Sequence, residues 1–131
     1  MVLDASAVLA VLLKEPERDL FAEAISGAEV RLASAVNAFE VAIVLLARKG
    51  PPGLRELDLL FHSAGVDVVP FTDTHLILAR EAFHRYGKGR HAAGLNLGDC
   101  CAYALSMNSG EPLLYKGRDF AQTDVRSAVE A

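Results

Sequence analysis

At 131 residues, with 52% apolar and 23% charged side chains, the chain is long enough to bury one real core and too apolar to be disordered. No apolar run approaches the roughly 18 residues of a membrane span, and no basic residue precedes the apolar N-terminal stretch, which argues against a secretory leader. The net charge of -4, from 13 basic and 17 acidic residues, lacks the basic surplus usual in nucleic-acid binders, but setting four acids aside as cation ligands leaves both signs equal, so charge does not exclude a phosphate substrate.

Residues 1–3 read as a short apolar strand, followed by a helix over 5–14 rich in Ala, Val and Leu. Pro16 opens a second helix, with Glu15, Glu17 and Asp19 near its positive end, and this helix ends near Gly27. Residues 29–33 are strand-like, and Ser34 is placed to cap the next helix. That helix, over 35–49, carries Val36, Phe39, Ile43 and Leu46 at helical spacing. Val41, Ala42, Val44 and Leu45 cover much of its remaining circumference, which predicts burial on most sides. Arg48, Lys49 and Gly50 close it, and Pro51-Pro52-Gly53 reads as a break. Leu54, Leu57, Phe61 and Ala64 mark a further amphipathic helix ended by Gly65.

Residues 66–71 read as a strand, and Thr72 or Asp73 caps a helix running to about Tyr86. Residues 87–96 hold Gly87, Gly89 and Gly94 with Lys88, Arg90 and His91, show no periodicity, and read as a mobile basic loop. A helix over 97–108 follows, then a strand over 113–115, the turn Lys116-Gly117-Arg118 and, from Val125, a last short strand. Strands alternating with helices imply an α/β fold, a parallel sheet covered on both faces. No repeat or linker divides the chain, so 1–131 reads as one domain. The adjacent Cys100 and Cys101 read as small buried hydrophobes in a reducing, cytoplasmic setting. His62, His75 and His84 lack ligand spacing and read as structural.

Four acids stand out against this apolar background: Asp4, Glu40, Asp99 and Asp119. Asp4 follows the first strand, and taken alone it is a helix N-cap. Asp99 lies in a first helical turn, where the macrodipole favours an acid, and Asp119 sits in a turn beside Gly117. Glu40 lies well past the first turn, between Val36 and Ile43 on the apolar stripe, where a bland reading needs pairing with Arg48 or another cation. In open parallel sheets ligands bind outside the carboxyl ends of the strands, and all four acids reach that crevice. Gathered carboxylates with oxygen ligands suit a hard divalent cation. Ser6 caps a helix or supports Asp4, and Asp124 is a fifth, more ambiguous acid. Lys88 and Arg90, with Lys116 and Arg118, are the cations available for phosphate contact.

These residues resemble the PIN-domain ribonucleases, specifically the VapC-type toxins of bacterial toxin–antitoxin pairs. The resemblance rests on Val2-Leu3-Asp4-Ala5-Ser6, on the segment from Ser34 through Glu40-Val41-Ala42, and on Tyr86-Gly87-Lys88-Gly89 to Leu97-Gly98-Asp99-Cys100. It closes with Leu114-Tyr115-Lys116-Gly117-Arg118-Asp119-Phe120 and Thr123-Asp124. It implies a three-layer α/β/α sandwich around a parallel sheet and an Mg²⁺- or Mn²⁺-dependent endoribonuclease acting on tRNA, rRNA or mRNA. It also implies a homodimer and a cognate VapB-type antitoxin. Asp4, Glu40, Asp99 and Asp119 fall on the family's acidic positions, and Ser6 on its small hydroxyl position. Relatives often carry Asn or Asp before the last acid, where this chain has Arg118, so Asp119 and Asp124 compete for the fourth place. Two other readings stand beside this one. An aspartyl-phosphate phosphatase wants Asp-x-Asp after the first strand, where this chain has Ser6, and a receiver domain wants a second acid near Asp4. A catalytically silent PIN-like module binding RNA or protein has no need of the full acidic set.

Overall fold

The structure, a computed structural model, describes residues 1–129. Strand β1 (Val2–Leu3) leads into α1 (Ala5–Leu12) and α2 (Arg18–Gly27), then β2 (Leu32–Ser34), α3 (Ala35–Lys49) and α4 (Pro51–Ala64). The chain continues through β3 (Asp67–Val69), α5 (Asp73–Tyr86), α6 (Leu97–Ser109), β4 (Leu113–Leu114) and a 3-10 turn, Phe120–Gln122. The strands form one parallel sheet in the order β3-β2-β1-β4. The expected last strand reduces to a single bridge, Ser127 against Leu113.

Alternation along each short strand divides the core into two layers, because successive side chains point to opposite faces. Leu3 and Leu114 face one side, where α1, α2, α3 and α4 bury Val8, Phe21, Ile25, Val41, Leu45 and Leu57. Val2 and Leu113 face the other, where α5 and α6 bury Ala82, Tyr86, Tyr103 and Leu105. The three-layer α/β/α sandwich expected from the sequence is therefore present. Cys100 and Cys101 are free and buried, and burial pushes both thiols up to about 11. His75 is a core histidine, edge-on to Phe71.

Several sequence expectations need correction. Pro51-Pro52-Gly53 is not a break but the first turn of α4, where missing backbone N–H groups cost nothing because first-turn donors have no helical partner. The break falls one residue earlier, at Gly50, whose φ of 67° favours a residue without a Cβ. Helix α3 is not buried on most sides: Phe39 is 67% exposed and Ile43 and Leu46 also face solvent, while Asn37, Val41 and Leu45 turn inward. Its apolar circumference left the face undecided, and packing against α4, α1 and α6 chose it. The 87–96 segment is tethered. The Lys88 N–H donates to the Leu95 carbonyl and the Leu95 N–H to that of Tyr86, both at 2.9 Å, while Ala93 and Leu95 are buried.

Candidate active site

The sheet delivers Asp4 to its carboxyl edge, because β1 ends at Leu3 and the Asp4 N–H donates to the Leu114 carbonyl of β4 at 3.0 Å. Asp4 is the N-cap of α1. Its Oδ2 accepts from the Ser6 N–H at 3.1 Å and from the Ser6 hydroxyl at 2.6 Å. The Ser6 Oγ in turn accepts from the Lys116 N–H at 2.9 Å, so one hydroxyl holds Asp4 and the segment that leaves β4. Asp4 is only 4% exposed. Burial pushes its pKa up to about 6; the Ser6 bonds oppose this, and Asp99 and Glu40 add to it.

Glu40 reaches the same place from the second turn of α3. Asn37, three residues earlier and therefore on the same helical face, donates from Nδ2 to Glu40 Oε1 at 2.7 Å and to the Gly98 carbonyl of α6 at 3.0 Å. Gly98 is a close-approach glycine: a Cβ there would collide with both Glu40 carboxylate oxygens. Asp99 follows in the first turn of α6, in a capping box with Asn96. The Asp99 N–H donates to Asn96 Oδ1 at 2.9 Å, and Asp99 Oδ2 accepts from the Asn96 N–H at 3.0 Å. Burial raises the Asp99 pKa, against the Asn96 bond, and Asp119 and Glu40 raise it further. Asp119 stands exposed at the start of the 3-10 turn after β4. Asp4, Glu40 and Asp99 thus lie in one another's field and Asp119 in that of Asp99, and among the described residues none of the four forms an ion pair.

A PIN domain family profile matches residues 1–126. Ribonuclease VapC30 of Mycobacterium tuberculosis is 49% identical over 129 residues, spanning 98% of each chain. The chain belongs to the PIN-domain family of VapC ribonucleases. Ribonuclease VapC of Mycolicibacterium smegmatis is 50% identical over 125 residues, 95% of this chain and 97% of its own. The crystal structure of M. tuberculosis VapC20, described as a Sarcin-Ricin loop cleaving toxin, superposes with a TM-score of 0.77 over 95% of each chain at 16% identity. That superposition establishes the shared fold.

As they stand, no group of three His, Cys, Asp or Glu side chains among the described residues could hold a metal ion. In this VapC-family site Asp4, Glu40 and Asp99 each accept a hydrogen bond from within the protein, from Ser6, Asn37 and Asn96 respectively. The donor chemistry nonetheless fits a hard divalent cation. The four acids offer only carboxylate oxygens; among the described residues none of these four has a basic partner, and the buried Asn37 Oδ1 beside Glu40 has no hydrogen-bond partner.

Asp124 lies apart from this group. Its Oδ1 accepts from the Tyr103 hydroxyl at 2.6 Å, and its Oδ2 is 3.5 Å from the Arg85 guanidinium. Lys116 is tied to Glu15 at 3.1 Å and Glu17 at 3.4 Å, and Arg90 leans on the His84 carbonyl. Lys88 and Arg118 have no acidic partner among the described residues. Sequence reasoning missed Asn37, Asn96, Gly98 and Tyr103. An Asn inside an apolar helix one turn before a glutamate, and a glycine in a helix's first turn, were the signals for two of them.

Proposed function

We propose that this chain is a divalent-cation-dependent endoribonuclease, the toxin of a VapBC-type pair, held in check in the cytoplasm by a VapB-type antitoxin. The names of the relatives at about half identity support ribonuclease activity. The observation that carries the reading is Asp4: a carboxylate 4% exposed, in the electrostatic field of Asp99 and Glu40, with no basic side chain among the described residues paired to it. Unpaired buried anions are costly, and a cation relieves that cost.

Asp4 and Asp99 would hold Mg²⁺ or Mn²⁺, with Glu40 and Asp119 completing the site. When bound, the cation supplies charge neutralisation and activation of water. The protein's own groups do the rest. Ser6 fixes the Asp4 oxygen, Asn37 fixes Glu40, and Glu40 and Asp119 orient the water, whose oxygen bonds to phosphorus as the ester P–O bond breaks; the water's proton passes to solvent, and the leaving ribose oxygen takes one up from solvent. Lys88 and Arg118 are free to meet RNA phosphates, with Arg90 behind them. Lys116 is engaged with Glu15 and Glu17 and contributes less.

The exposed apolar residues of α3 and α5 support a homodimer. Phe39, Ile43 and Leu46 on α3, and Leu76, Ile77 and Phe83 on α5, face solvent in the single chain. A groove of about 1050 Å³ lined by Val36, Phe71, Leu76, Ile77, Phe83 and Leu97 lies beside them. Light scattering is expected to report a dimer for the wild type and a monomer for Phe39→Glu/Ile43→Glu.

The test of the central reading is Asp4→Asn. The purified variant, still folded by circular dichroism, is expected to lose RNA cleavage in Mn²⁺ and the rise in Tm that Mn²⁺ gives the wild type. Wild-type cleavage by this variant sinks the metal-site assignment. Absence of any Mn²⁺ effect on the wild-type protein points instead to a silent binding module.

A further inference from the structure

Asp119 is exposed, on a turn that follows a strand of only two residues, yet a site needs its groups held to within a fraction of an ångström. One side of the turn is anchored by Phe120, buried and packed against the Tyr115 ring at 5.2 Å. The other side ends at Asp124, whose carboxylate accepts a charge-assisted bond from the Tyr103 hydroxyl at 2.6 Å. Between them the Thr123 hydroxyl donates to the Phe120 carbonyl at 2.7 Å and accepts from the Val125 N–H at 3.2 Å, closing the turn on itself. Tyr103 stands one helical turn after Asp99 on α6, on the same face.

We infer that Asp124 is a positioning residue: through Tyr103 it clamps the Asp119 turn to the helix that carries Asp99, setting the spacing of those two acids. Two observations oppose a ligand role for it. Its oxygens are already occupied by Tyr103 and by the Arg85 guanidinium, a fixed positive charge that competes with any cation. Burial raises its pKa, but the Tyr103 hydroxyl, the Arg85 charge and the Tyr86 hydroxyl bring it below the ordinary carboxylate value, with no contribution from the four site acids. The pair with Arg85 is half exposed and contributes little by itself, so the Tyr103 bond is the main fixing contact. Arg85 closes the end of α5 by donating to the Tyr86 hydroxyl at 2.7 Å, which joins the clamp to the start of the 87–96 segment.

The inference rests on the metal-dependent ribonuclease reading, and the experiment separates the two. The full-length protein is compared as wild type, Tyr103→Phe, Asp124→Ala, Asp124→Asn and Tyr103→Phe/Asp124→Ala, with Asp4→Asn as the control for the site. Cleavage of a labelled RNA, the half-saturating Mn²⁺ concentration, and amide hydrogen exchange over 116–124 are measured. Tyr103→Phe and Asp124→Ala should each lower kcat about tenfold with KM little changed, since a misplaced group costs rate before binding. The double variant should be no worse than Asp124→Ala, because both remove one contact. Asp124→Asn keeps an acceptor for Tyr103 and should stay within about threefold of wild type. Exchange in the turn should quicken in Tyr103→Phe while α6 stays protected.

Asp124→Asn as inactive as Asp4→Asn, with Tyr103→Phe at wild-type kcat and Mn²⁺ affinity, makes Asp124 a ligand and overturns the inference. Unchanged exchange in Tyr103→Phe also overturns it. If Asp4→Asn cleaves like the wild type, the nuclease reading fails instead, and exchange alone still decides whether the clamp exists.

Discussion

Replacing Gly98 by Ala should separate stability from activity. The new Cβ would sit about 1 Å inside ordinary van der Waals contact with both Glu40 carboxylate oxygens. Those oxygens are the tip of a flexible side chain, so the fold can accommodate the methyl by swinging Glu40 away. Alanine is also the better helix former by up to ~1 kcal/mol, so Tm should hold or rise slightly. The site cannot absorb the change so easily. Retreat of the carboxylate breaks the 2.7 Å bond from Asn37 and moves Glu40 relative to the other acids by about 1 Å, a misplacement that costs on the order of a hundredfold in rate, or roughly 2.7 kcal/mol of transition-state stabilisation. Single-turnover cleavage of a fluorescent RNA in saturating Mn²⁺, run beside thermal melting, measures both quantities. A Gly98→Ala enzyme cleaving within about twofold of wild type at unchanged Tm refutes the argument that Glu40 must lie against the start of α6.

The buried Asp4 carboxyl makes stability depend on pH. Its pKa is about 6 in the folded chain against an ordinary 3.8, so the folded state holds the proton to higher pH than the unfolded one. The cost of burying the anion, about 3 kcal/mol above pH 6, is relieved as pH falls from 6 toward 4. In EDTA, Tm should therefore rise between pH 7 and pH 5, and Asp4→Asn should flatten that slope; an unchanged slope in the variant assigns the effect elsewhere. Because a bound proton competes with a metal ligand, the half-saturating Mn²⁺ concentration should climb below about pH 6, read from activity or from Tm against Mn²⁺. Ser6→Ala removes the donor to Asp4 and the acceptor for Lys116; it should cost about 1–3 kcal/mol in urea denaturation and weaken Mn²⁺ binding, whereas full stability would show that these two bonds do not hold the site together. Lys88→Ala and Arg118→Ala should each flatten the log–log salt dependence of RNA binding by about 0.7, while Lys116→Ala, already paired with Glu15 and Glu17, should change it less. Equal effects from all three would remove the distinction drawn between free and paired cations.

Local chemistry alone determined much of this protein. The alternation of short apolar runs with helical periods set the parallel α/β order. Ser34 was legible as a cap, as was Asp4 at the end of the first strand, because capping depends on neighbours two residues away. The placing of Asp4 at the carboxyl end of the first strand followed from the same pattern. Tertiary structure decided which face of α3 turns inward, burying Asn37 and leaving Phe39 in solvent, since a helix apolar on most of its circumference does not specify a side. It also decided that the glycine-rich 87–96 segment is pinned by Leu95, that Gly98 receives Glu40, and that Asp124 belongs to Tyr103. Asn37 and Gly98 lie 61 positions apart, and Tyr103 and Asp124 lie 21 apart. Contacts of that reach leave no trace in a period of two or 3.6 residues; they form only when packing brings the helices together over the sheet's carboxyl edge.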